Sequence, residues 1–228
     1  MRDSRVSQGW LFAATGSTLL IAHNQVACVT GAASARPRGN ASDIAARWDA
    51  TASQPNDGVR SQLPDALRAA YTKSRQAEGR TDPRFHVQSG GSGVLVLSSF
   101  NGLTATVDKA GIGLSATGMA GRLETRGVRC GTQAIMAAGG ELAVDLTQPH
   151  RAVRTISATA TEWYINGPLG IEHGYDVDPA GCDEILTVEL ATPGMVASLV
   201  AGDVWLSSHE GATALRYAGL FAIDAADA

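Results

Sequence analysis

Leu103-Thr104-Ala105-Thr106-Val107-Asp108-Lys109-Ala110-Gly111-Ile112-Gly113-Leu114 reads as two strands joined by a tight turn. Leu103, Ala105 and Val107 alternate with Thr104 and Thr106, a period of two that sends one set of side chains inward and the other outward. Lys109-Ala110-Gly111 supplies the turn, and Ile112 and Leu114 resume the alternation. The same pattern recurs on both sides of this stretch. Val94-Leu95-Val96-Leu97 is a compact apolar run. Leu142, Val144 and Leu146 alternate with Ala143 and Asp145, and Leu186, Val188 and Leu190 alternate with Thr187 and Glu189. Val204 to Leu206, Leu215 to Tyr217 and Leu220 to Ile223 complete the series. Short alternating runs split by Gly, Asn or Pro predict a mainly β domain over residues 85–228, an antiparallel β-sandwich or a barrel-like sheet. Trp163 and Trp205 are expected as core anchors, with a sugar-stacking platform as the sharper alternative.

Upstream of Phe85 the pattern is different. Leu63, Leu67, Ala70 and Tyr71 fall at helical spacing, Pro64 suits a first turn, and Asp65 favours the helix dipole. A short helix over 63–79, ended by Gly79, is therefore expected to precede the strands, packed on its own domain or docking a partner. Residues 36–62, rich in Arg, Asn, Ser, Asp, Pro and Gly, read as a flexible leader. Ser42 is placed to cap one short turn that carries Ile44 and Trp48.

Residues 1–35 have the order of a signal peptide. Arg2 and Arg5 are followed by the uncharged run Trp10 to Ala22, which is too short to span a bilayer, and by small residues ending in Ala33-Ser34-Ala35. Cleavage is expected after Ala35, with Ala33 as second choice. That places the protein in the secreted, periplasmic or outer-surface compartment, with no transmembrane span once the leader is removed. Gln25-Val26-Ala27-Cys28 loosely matches a lipoprotein box, and lipidation at Cys28 would tether the chain instead. Two cysteines then remain of three, Cys130 and Cys182. In an oxidising compartment they either pair as a disulfide or stand as two separate buried thiols.

The chain carries a formal charge of −4, without the basic excess of a nucleic-acid binder. Catalytic motifs are also missing. Gly90-Gly91-Ser92-Gly93 lacks the closing glycine of a nucleophile elbow and the lysine of a phosphate loop, and reads as a turn before a strand. His173 sits near Glu172 and Asp176 without a second histidine at ligand spacing, so an exposed loop histidine is expected. Asp176, Asp178, Gly181 and Glu184 partly follow calcium-loop spacing. Ala180 removes a ligand and Pro179 restricts Asp178, so a plain acidic turn competes with calcium. Glu162, Glu172 and Asp176 are the one carboxylate set from which a glycan or peptide hydrolase could be built.

Glu162-Trp163-Tyr164-Ile165-Asn166-Gly167-Pro168-Leu169-Gly170-Ile171-Glu172-His173-Gly174-Tyr175 resembles a stretch found in large exported bacterial proteins with FG-GAP (integrin-α-like) repeats. There it belongs to a β-rich domain that precedes the repeats. Pro179-Ala180-Gly181 with the strand Ile185 to Leu190, and Leu215-Arg216-Tyr217-Ala218-Gly219-Leu220 with Asp224, extend the resemblance over roughly residues 90–228. It implies a non-enzymatic secreted or cell-surface domain, with no cofactor and no metal in the Pro-Ala-Gly turn. Its partner would be an extracellular protein or glycan. The propeller repeats that follow in those proteins do not occur within these 228 residues, so a fragment, a truncated product or a stand-alone relative is expected.

Overall fold

A computed structural model describes residues 17–22, 25–30, 74, 77–99, 102–116, 119–135, 140–178, 185–200, 203–209 and 214–217. Strands β1 (Ser17–Ala22) and β2 (Gln25–Thr30) form an antiparallel hairpin, so part of the expected leader has extended backbone. The rest of residues 1–62 lies outside the described residues. Of the expected helix, residues 74 and 77–81 are described and are helical. Gly79 therefore does not end the helix. It sits inside it, where an added Cβ would lie 2.7 Å from the Asn166 carbonyl oxygen. This glycine permits close packing rather than a left-handed cap.

A short 3-10 turn, Pro83–Phe85, leads into the sheets, with Asp82 accepting from the Arg84 N–H at 3.0 Å. The strands that follow are β3 (Gln88–Ser89), β4 (Leu95–Ser98), β5 (Thr104–Asp108), β6 (Gly111–Ala116), β7 (Met119–Cys130) and β8 (Gln133–Ala134). After them come β9 (Leu142–Val144), β10 (Arg151–Ser157), β11 (Ala160–Gly167), β12 (Gly170–Val177) and β13 (Leu186–Ala191). The last three are β14 (Val196–Val200), β15 (Asp203–Ser207) and β16 (Ala214–Tyr217).

All pairings are antiparallel, and the sheets are open rather than closed into a barrel. One sheet has the order β13-β7-β6-β5-β4-β3, a second β12-β11-β10-β9, and a third β14-β15-β16. A single apolar cluster joins them. It includes Leu97, Val107 and Leu123 from the first sheet, Ala152, Ile156 and Tyr164 from the second, and Val204, Leu206 and Tyr217 from the third.

The turn in the opening stretch forms as its residues suggest. Asp108 Oδ1 accepts from the N–H of Ala110 at 2.8 Å and of Gly111 at 3.2 Å. Gly111 has φ +145, and a Cβ there would lie 2.1 Å from the Leu123 carbonyl oxygen. Gly91, Ser92 and Gly93 likewise carry positive φ in the turn between β3 and β4. Leu146 departs from expectation: β9 stops at Val144, and Leu146 is 95% exposed in a turn built on Asp145. Residues 218–228, including the run Leu220 to Ile223, lie outside the described residues.

Two bulges break the period of two. Between β13 and β7 the register passes from Glu189↔Gly127 to Leu190↔Thr125, leaving Arg126 as an extra residue in β7. Leu123 and Thr125 are buried by alternation, and the extra residue brings Val128 inward as well, where strict alternation would turn it outward. A second shift leaves Ile156 as the extra residue in β10.

Candidate functional site

The hairpin of β11 and β12 pairs Glu162 with Tyr175, Tyr164 with His173 and Asn166 with Ile171. Directly opposed residues share a face. Glu162, Tyr164, His173 and Tyr175 therefore face one way, together with Arg154, which is opposite Glu162 on β10. Glu172, Gly174 and Asp176 face the other way.

The inward face carries a buried polar hub. Glu162 is 1% exposed and His173 2%. Glu162 Oε2 accepts from Arg154 Nε at 2.6 Å, and Arg154 Nη1 donates to the Lys109 carbonyl at 2.9 Å. Glu162 Oε1 accepts from Thr125 Oγ1 at 2.7 Å and from the Tyr175 hydroxyl at 3.1 Å, and lies 2.8 Å from His173 Nε2. Thr125 reaches this site from β7. Burial alone would raise the Glu162 pKa. The hydrogen bond and charge of His173, the Arg154 guanidinium and the Thr125 hydroxyl outweigh burial and hold it at about 2. The carboxyl is therefore ionised at neutral pH.

His173 is the pivot of the hub, and the exposed-loop expectation is corrected: it lies mid-strand in β12, buried. Its Nδ1 lies 2.9 Å from the Tyr217 hydroxyl of β16. Its ring stacks on Tyr164 with centroids 4.7 Å apart and 17° between planes, and is tilted against Tyr175 at 5.0 Å. With Glu162 ionised, His173 Nε2 carries the proton it donates, and Nδ1 shares a hydrogen bond with the Tyr217 hydroxyl.

The chain Tyr217–His173–Glu162 has the connectivity of a nucleophile, a base and the group that orients the base. Its environment argues against that chemistry. Burial, followed by the charges of Glu162 and Glu172, pushes the Tyr217 phenol well above its ordinary value. Burial and Glu162 do the same to Tyr164 and Tyr175. A nucleophilic or basic tyrosine needs the opposite shift.

The opposite face holds the other candidates, and Glu172 on it is itself buried, at 5% exposed. Asp176 pairs with Arg151 at 2.9 Å, and Arg151 also reaches Asp145 at 3.2 Å. The Arg151 guanidinium sits 5.4 Å from the centroid of the Trp163 ring. Trp163 is 3% exposed and lies across Gly174, where an added Cβ would come within 2.3 Å of the ring. Trp205 is also buried, at 7%, so both tryptophans have the anchor placement expected of them. Glu162, Glu172 and Asp176 thus do not converge: the sheet separates Glu162 from the other two.

Asp176 is a strand residue paired with Thr161. It does not stand in a turn, and the expected acidic turn or calcium loop starts no earlier than Asp178. Asp178 itself donates its backbone N–H to the Thr159 carbonyl at 2.7 Å. Gly181, Cys182 and Glu184 lie outside the described residues. Among the described residues, no group of three or more His, Cys, Asp or Glu side chains is arranged to hold a metal ion. Cys130 ends β7 and is buried. It is in register with Leu186, and the neighbouring Gly131 N–H donates to the Ile185 carbonyl at 3.0 Å.

A second polar anchor holds the helical entry to the sheets. Asn166 Nδ2 donates to the carbonyls of Phe85, at 3.1 Å, and Ser98, at 2.9 Å. Comparisons with family models, with curated proteins and with solved structures found no match to this chain. No helix among the described residues is long and apolar enough to cross a membrane.

Proposed function

We propose that this chain is a non-enzymatic secreted or cell-surface domain with an interaction or structural role, similar to the β-rich domain that precedes FG-GAP repeats. The observation that carries this reading is the division of the carboxylates. A glycosidase needs two carboxyl groups across one cleft. Here Glu162 is turned inward into an ion pair, while Asp176 is neutralised by Arg151 on the opposite face. The polar groups with the most perturbed chemistry hold sheets together, a use that suits a scaffold. The signal-like segment supports export, and the expected partner is an extracellular protein or glycan.

The test is a glycan array and a cell-surface pull-down, run beside a panel of glycan and peptide hydrolysis assays. Saturable binding without turnover supports the domain role. Turnover that Glu162→Gln abolishes while the fold is kept would replace this reading with an extracytoplasmic hydrolase. Mass analysis of exported material tests the leader, with a mature start at Arg36 as the expected result.

A further inference from the structure

We propose that the outer edge of β13 is a strand-accepting interface, covered by the leader hairpin and opened, once residues 1–35 are removed, to an extended, uncharged segment of an extracellular protein. This rests on the reading of an exported interaction domain with a cleaved leader, and it narrows the partner from protein or glycan to a protein backbone.

β13 ends the sheet order that runs through β7 to β3. At the far end, β3 is two residues long, the kind of short edge by which sheets avoid unwanted pairing. β13 has six residues, with no proline and no lysine among them. Its one charge, Glu189, pairs with Arg129 at 3.2 Å. The bulge beside it puts the extra residue in β7, so β13 itself is uninterrupted. Val188 and Leu190, 4% and 2% exposed, fix one of its faces in the core. The Gly131 N–H donates to the Ile185 carbonyl, which makes these two a hydrogen-bonded pair. Bonded and non-bonded pairs alternate along an antiparallel ladder. Leu186 opposite Cys130 and Val188 opposite Val128 are therefore non-bonded pairs, and their N–H and C=O groups point away from β7.

The leader hairpin lies along this strand. Cα atoms of β1 come within 8 Å of those of β13, closer than the roughly 10 Å at which sheets stack face to face, so β1 runs beside β13. The ladder partner of β1 is β2, in a separate two-stranded sheet, and no ladder joins β1 to β13 among the described residues. The hairpin thus covers the edge without closing a ladder along it. A strand that does close one gains main-chain hydrogen bonds that the hairpin does not make. A glycan has no alternating row of N–H and C=O groups with which to do so. The segment that lies there, Ser17-Thr18-Leu19-Leu20-Ile21-Ala22, carries no charge, proline or glycine, and it sets the chemistry of the occupant.

The probe is a peptide of residues 17–22 with lysines added at both ends for solubility, beside a second version N-methylated at every residue. The full chain is made with a protease site within residues 31–35, so that the hairpin is cut from the folded protein and removed. The expected result is that the plain peptide binds the cut protein and not the uncut one, and slows amide exchange at Leu186 and Val188 by about tenfold or more. The N-methylated peptide, with the same side chains and no donors, does not bind. Leu186→Pro removes an outward N–H at the first residue of β13, spares the β7 ladder, and also abolishes binding. Should Leu186→Pro not fold, the two peptides decide alone. Equal binding of both peptides, or binding of neither, overturns the proposal. A cut protein that dimerises through β13 makes a second copy the occupant and overturns the partner assignment. One that unfolds makes the hairpin part of the fold and overturns it too. A mature chain that starts at Arg36 and binds no peptide removes this inference and leaves the exported-domain reading standing. An exported chain that keeps residues 17–30 removes the leader reading and, with it, the opening of the edge.

Discussion

Replacing Arg154 with methionine is the sharpest test of what holds the sheets together. The side chains of Arg154 and Glu162 are 5% and 1% exposed, and methionine keeps most of the arginine volume. The substitution leaves the Glu162 carboxylate buried without its cation and deprives the Lys109 carbonyl of a donor. Removing one partner of a buried pair typically costs about 3–5 kcal/mol, because the remaining charge is still desolvated. That is a large share of the roughly 5–15 kcal/mol by which a domain is stable. At about 2–4 °C per kcal/mol for a chain of this size, Tm should fall by about 6–20 °C. Urea unfolding, followed by tryptophan fluorescence and circular dichroism, measures the change at 25 °C. Arg154→Met combined with Glu162→Gln should be less destabilised than Arg154→Met alone, because no uncompensated charge remains while an acceptor for His173 is kept. A cost for Arg154→Met below about 1 kcal/mol, the range of exposed pairs, would refute the reading of Glu162 as a buried charge in need of its partner.

Acid should weaken the fold through the same residue. The Glu162 carboxyl titrates at about 2 when folded against an ordinary value of 4.5, so its contribution is complete above pH 4.5 and is lost as pH falls toward 2. That contribution is about 3 kcal/mol, and in urea titrations at stepped pH Glu162→Gln should flatten this acid limb. Gly174→Ala should destabilise by about 1–3 kcal/mol and shift the Trp163 emission, since the new methyl meets the indole ring; unchanged emission and stability would remove the close packing argued for that pair. If Cys130 and Cys182 pair, thiol titration of the unfolded, unreduced exported protein finds neither sulfur free, and Cys130→Ser lowers stability by about 4 kcal/mol. Two free thiols would end the pairing.

The amino-acid order by itself determined a mainly β, antiparallel domain, because alternation along β5, β6, β13 and β15 needs no knowledge of neighbours. It also placed the Asp108–Gly111 turn, whose carboxylate and glycine act within four residues, and the burial of Trp163 and Trp205. It did not determine which way Glu162 points relative to Glu172 and Asp176. All three carry even numbers, yet the β11–β12 hairpin pairs even positions with odd ones, so Glu162 turns to one face of the sheet and the other two to the opposite face. Leu146 continued an alternation that the Asp145 turn cuts short. The inward turn of Val128 depended on the bulge at Arg126, which is set by pairing with β13. His173 looked like a loop residue because its partners, Glu162, Tyr164 and Tyr217, lie on other strands. Local pattern reaches as far as a strand's own two faces, whereas the hub is made by register and by packing between sheets, and only the tertiary structure supplies those.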